Sequence, residues 1–158
     1  FVTLSISVVN IAHLIRTPLN TARIPKEAVD FIEEHNLPKP LLNEFGTGGY
    51  LMYRFSDAQG EPRYKVAIDG RTNVNPDAIW NLYRASFSGR ANWNEFIDKV
   101  GAKTIMWRQG SPFTSLLLLS PEWCRVFTTG SGDEDQAVFI RYEDFRSRSG
   151  ELTSIDCQ

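Results

Sequence analysis

The chain has 158 residues, 42% of them hydrophobic and 23% charged, which suits one globular domain with enough apolar material for a buried core. Its 17 basic and 19 acidic side chains leave a formal net charge of −2, so there is no basic surplus to neutralise phosphates, which argues against nucleic acid as a partner. Neither histidine, His13 nor His35, has a second His or Cys at ligand spacing, so no metal is expected.

Residues 1–15, FVTLSISVVNIAHLI, carry no charge apart from the ionisable His13. They are too few to span a bilayer, which takes about 20 apolar residues, and they lack the basic start and cleavage site of a signal peptide. Thr3, Ser5 and Ser7 alternate with Val2, Leu4, Ile6 and Val8 as in a strand. The same stretch also fits the end of a membrane helix. Residues 1–20 are therefore set apart as leading strand, linker or helix end, 21–145 as an α/β domain, and 146–158 as a loose polar tail.

Pro25, Lys26 and Glu27 predict a helix start, with Ala28, Val29, Phe31 and Ile32 on its apolar side and Asn36 and Pro38 as its stop. Residues 41–45 predict a short buried strand, and 49–55 a helix. SDAQGEPR, at 56–63, reads as a turn and YKVAID, at 64–69, as a second strand. Asn75-Pro76-Asp77 predicts another helix start, with Ile79, Leu82, Tyr83 and Ser86 on one face. Asn92 with Glu95 resembles a capping box, before a helix with Phe96, Ile97 and Val100 inward and Gly101 as its stop. A third strand is expected at 104–107, then a helix from Ser111-Pro112 to Leu119. Two alternating runs around GSGDED, 123–129 and 136–142, predict a hairpin. Cys124 falls in the first run and Cys157 in the tail, and their contexts leave pairing open.

Strands alternating with helices before a terminal hairpin predict an α/β fold. The expected architecture is a small three-layer-like sandwich on a mixed, mostly parallel sheet of about five strands. Ligands of such sheets lie beyond the carboxyl ends of the strands. Those ends carry Asn43 and Glu44, then Asp69, Gly70 and Arg71, then Arg108 and Gln109, so a shared polar rim is expected there.

The loop N-E-F-G-T-G-G-Y at 43–50 admits three readings. As a nucleotide-type cofactor loop it resembles the first motif of S-adenosylmethionine methyltransferases, with Asp69 placed to hold ribose hydroxyls. Tyr50 stands where that motif has its third glycine, and Leu51 where the dinucleotide fingerprint needs its last. As a plain turn, Gly46, Gly48 and Gly49 only permit close packing on a neighbour. A lipid-borne substrate is the third possibility.

The succession PKEAVDFIEEH, NEFGTGGYL, VAIDGR, WNEFIDKVG, TIMW, SPFTSL and the WCRVF…AVFIR hairpin, over residues 20–142, resembles a known arrangement. It is similar to the C-terminal soluble domain of bacterial polytopic membrane proteins related to the lipid-linked-sugar glycosyltransferases of the C superfamily. The most specific parts are Asn43 with Gly48, Gly49, Tyr50 and Leu51, and Ile68 to Arg71. Relatives usually have Trp where this chain has Thr47. The resemblance implies a preceding transmembrane region as the domain's own partner, a periplasmic, membrane-attached location, and residues 1–15 as the end of the last membrane helix, with Arg16 at the interface. It places the catalytic carboxylate in the membrane part, so no catalytic residue and no cofactor are expected here. Asn43, Glu44, Gly48, Gly49, Tyr50, Asp69, Gly70, Arg71 and Arg108 become candidates for binding a lipid-linked sugar or glycan acceptor, or for bracing the domain.

Overall fold

The computed structural model describes residues 24–71, 76–148 and 150–157. Residues 1–20, with the readings given to them, lie outside the described residues, as does the cap expected of Asn75.

The α/β class, the mixed sheet and the C-terminal hairpin are as the sequence indicates. The elements are α1 (Lys26–Glu34), β1 (Leu41–Asn43), a 3-10 turn (Phe45–Thr47), α2 (Gly48–Phe55), α3 (Asp77–Phe87), α4 (Glu95–Val100), β2 (Thr104–Arg108), α5 (Pro112–Leu119), β3 (Trp123–Thr128), β4 (Gln136–Arg141) and α6 (Tyr142–Ser147). Among the described residues the sheet has four strands rather than five, in the order β1-β2-β4-β3. Of these four strands only β1 and β2 run parallel; β4 is antiparallel to both its neighbours, so the sheet of the described residues is not mostly parallel.

The pleat sorts alternate residues to opposite faces, and each face has its own core. Leu41, Met106, Cys124, Val138 and Ile140 pack with Ala28, Val29 and Ile32 of α1 and with Leu51 and Phe55 of α2. Leu42, Ile105, Trp107, Ala137 and Phe139 pack with Tyr83 of α3, Phe96 and Ile97 of α4, and Phe113 and Leu117 of α5. Helices on both sides of one sheet make a three-layer sandwich. Fully buried Trp107 and Phe113 meet edge-on at 4.7 Å in the second core, a favoured aromatic geometry.

Local signals account for several boundaries. Ser111 Oγ accepts the Thr114 amide at 3.0 Å and Pro112 stands in the first turn of α5, so one otherwise orphaned donor is satisfied. Gly101 closes α4 at φ +66°, a left-handed conformation that costs glycine little. Asn92, by contrast, lies in a turn before α4; Asn94 is the residue flanking the helix, and Asn92 reaches Glu95 with its side chain at 3.3 Å.

Two expectations fail in an informative way. Residues 64–69 form no strand, because their partner on β1 is a side chain rather than a backbone ladder. The tail after Arg146 is not loose. Leu152 is buried in the first core, Arg148 donates to the carbonyls of His35 and Asn36, and Cys157 is disulfide-bonded to Cys124.

Candidate functional site

Asn43 ends β1 with its side chain fully buried, and its amide does the work of a peptide group. Oδ1 accepts the Ala67 amide at 2.9 Å, and Nδ2 donates to the Ile68 carbonyl at 2.8 Å and the Glu44 carbonyl at 2.9 Å. A short polar side chain at the strand end thus clamps a segment 25 residues away against the sheet.

The clamped segment lies on the start of α2. A Cβ at Gly48 would sit 2.3 Å from the Ile68 oxygen and 2.6 Å from the Asp69 Cα. The close approach that the glycine loop permits is therefore taken by the chain's own backbone. Gly46 and Gly49 have nothing within 4 Å of an added Cβ. Tyr50 turns toward α1: its hydroxyl accepts from Arg54 at 2.9 Å, and Arg54 in turn holds Asp30 at 2.7 Å and Glu33 at 2.6 Å. That part-buried bridge ties α2 to α1.

Asp69 is buried and Arg71 largely exposed. The carboxylate accepts Arg71 Nε at 2.9 Å and Nη2 at 2.9 Å, and the Arg71 amide at 2.8 Å. The fork-on-fork arrangement fixes both planes. Hydrogen bonds from the Arg71 guanidinium hold the Asp69 carboxyl below the usual carboxylate range, against an opposing effect of burial.

A lowered pKa in the folded state means that the unfolded chain binds the proton more readily. The pair therefore contributes stability above the ordinary aspartate value, and that contribution fades as pH falls through the lower folded value. The difference in urea midpoint between wild type and Asp69→Asn should be constant at neutral pH and down to the ordinary aspartate range, and shrink as pH falls below that range. A difference that persists at the acid end would show that Asp69 acts through packing and not charge.

Glu44 and Arg108 meet where the parallel strands end, with Nη2 3.5 Å from Glu44 Oε1 and Nη1 3.1 Å from Glu134 Oε1 on the hairpin loop. The Arg108 guanidinium also lies 5.3 Å from the Phe87 ring centroid. Burial pushes the Glu44 carboxyl up, with Arg108 opposing, and burial with the nearby Glu44 charge pushes the Tyr83 hydroxyl up to about 12. At neutral pH a charged Glu44 thus costs stability that acidification relieves, opposite in sign to Asp69.

The expected rim is accordingly divided. Glu44 and Arg108 form one ion-paired cluster with Glu134, reached by two strands; Asp69, Gly70 and Arg71 lie on the clamped segment, which no strand delivers. Beside Asp69 and Arg71 opens a groove of about 450 Å³, with Met52, Pro62, Tyr64 and Val66 on its apolar side. Ser56 and Lys65 add polar groups to its walls. Asn43, Glu44, Gly48, Gly49, Tyr50 and Arg108 do not line it. Tyr64 is nearly buried, donates to the Leu37 carbonyl at 3.0 Å, and has Lys39 Nζ 4.3 Å from its ring centroid.

Sequence reasoning missed Met52, Ser56, Tyr64 and Lys65 as a group, because YKVAID reads as a strand, whose residues alternate between two faces. Among the described residues, no three His, Cys, Asp or Glu side chains are placed to hold a metal ion, and no helix is long and apolar enough to cross a membrane. No protein-family model, no curated protein and no solved structure matches the chain.

Proposed function

We propose that the chain is an extracytoplasmic accessory domain of a membrane-embedded, glycosyltransferase-like protein, in which the groove beside Asp69 and Arg71 positions a glycan or lipid-linked sugar acceptor. The domain's other partner is the transmembrane region of the same protein. The observation that carries this reading is the pairing of an apolar wall, Met52, Pro62 and Val66, with an ordered carboxylate–guanidinium pair at the same opening. Sugars present such a site with an apolar C–H face and a ring of hydroxyls, and a fixed carboxylate and guanidinium accept and donate to those hydroxyls. Arg71 is exposed enough to meet an incoming phosphate as well. The disulfide between Cys124 and Cys157 supports the compartment, since such bonds persist outside the reducing cytoplasm.

The test uses the full-length membrane protein. Asp69→Asn and Arg71→Ala are each expected to lower sugar transfer about tenfold or more, as loss of a charge-assisted contact does, while leaving thermal unfolding of the soluble domain within a few degrees of wild type. Full activity in both variants would sink the reading. Calorimetric binding of S-adenosylmethionine to the 158-residue chain would replace it with the cofactor alternative.

A further inference from the structure

β3 is an edge strand, and its outer side is covered by the chain's own tail. Arg125 donates its amide to the Asp156 carbonyl at 2.9 Å, and its carbonyl accepts the Ile155 amide at 2.7 Å. The Arg125 guanidinium pairs with the Asp156 carboxylate through one nitrogen and donates to Gln109 Oε1 at 3.1 Å through another. Next to this contact, Cys157 is joined to Cys124, whose side chain is fully buried in the first core.

The tail is unevenly held. Leu152 is 6% exposed and anchors one end, whereas Ile155 is 48% exposed and Thr153 and Asp156 are also exposed. Residues 153–157 thus bury little apolar surface. Three backbone hydrogen bonds, the third a long one of 3.4 Å from the Asp156 amide to the Arg125 carbonyl, and one ion pair to a partly exposed carboxylate do not offset the backbone entropy of ordering five residues. The covalent bond is what keeps this strap on the edge.

We propose that residues 153–157 are a redox-released latch: reduction of Cys124–Cys157 by a dithiol frees the strap from β3 and uncovers the Arg125 edge while the sandwich stays folded. Cys157 is the more accessible sulfur, half-buried against fully buried Cys124. A thiolate of the dithiol attacks Cys157 Sγ, the protein S–S bond breaks, and Cys124 leaves as a thiolate that takes up a proton. The reductant's second thiolate then attacks its own sulfur in the mixed disulfide and expels Cys157, which is protonated in turn. Two electrons and two protons pass from the dithiol to the protein, and the reductant ends as its cyclic disulfide. Protonated Cys124 is then a small apolar group in an apolar core, so the sandwich keeps its packing. The uncovered edge offers the Arg125 N–H and C=O, which is the template that an added extended chain uses.

This inference does not depend on the acceptor groove and stands or falls separately from it. The experiment is residue-resolved amide exchange on the native chain, with and without dithiothreitol, and on Cys157→Ser without reductant. Reduction and the variant should each speed exchange at Arg125 and Ile155 about tenfold or more, with Ile105 and Phe139 at the sheet centre changed less than about twofold. Unchanged protection at Arg125 in the reduced chain and the variant would overturn the latch. So would general loss of protection across the sheet, which would make the bond a support of the whole fold. Resistance of the native disulfide to dithiothreitol would overturn it too.

Discussion

Replacing Asn43 by alanine is expected to lower the unfolding free energy by about 2–4 kcal/mol, from about 1–3 kcal/mol for each buried backbone group left without a partner. The Ala67 amide and the Ile68 carbonyl both rely on this one side chain, at 2.9 Å and 2.8 Å, and the carbonyl is buried. Urea unfolding gives the magnitude, and the midpoint should move at nearly constant slope. Asn43→Asp separates donor from acceptor. The carboxylate still accepts from Ala67, but it now faces the carbonyls of Ile68 and Glu44 with no proton to offer. The aspartate variant should therefore be at least as unstable as alanine at neutral pH and regain stability on acidification, when it can donate once. If Asn43→Ala stays within about 0.5 kcal/mol of wild type, the clamp is not what holds residues 67–69.

The second large effect is a sign reversal between neighbouring glycines. Gly48→Ala should destabilise by about 2–3 kcal/mol, as overpacking against unyielding groups does. Its Cβ meets the backbone of Ile68 and Asp69 at 2.3 and 2.6 Å, and backbone clamped by Asn43 cannot swing aside. Gly49→Ala meets nothing within 4 Å and should stabilise by up to about 1 kcal/mol through helix propensity. The pair also separates two readings of the glycine loop. Were the glycines there to admit a cofactor, both alanine variants would fold as well as wild type and differ only in binding. Combined with Asn43→Ala, the cost of Gly48→Ala should be less than additive, since a released segment can move away from the new methyl group.

These two residues also show where sequence reading stops. Asn43 and Gly48 stand out in the chain as a polar residue at a strand end and a glycine at a helix start. Their shared function depends on Ile68, and no local pattern says that residues 67–69 return to them. Glu44 and Arg108 were foreseeable as a pair because parallel strands bring their carboxyl ends together; Asp69 was not, because a clamped loop and not a strand carries it. Tyr50, expected near a ligand, is drawn to Arg54 by its position one helical turn before it.

Local chemistry settled the parts of this protein in which the determining groups are a few residues apart. Ser111 and Pro112 start α5, Gly101 stops α4, and alternating apolar residues on either side of GSGDED pair as β3 and β4. Tertiary structure alone decided the rest: among the described residues, four strands in place of five and one parallel pairing, with a groove walled by residues 52–71 and the cystine across 33 residues. Caps and turns act through hydrogen bonds made within one helical turn, so composition reveals them. A distant contact forms only when its packing and hydrogen bonds exceed the entropy of closing the intervening chain, and that balance depends on what every other element has already buried.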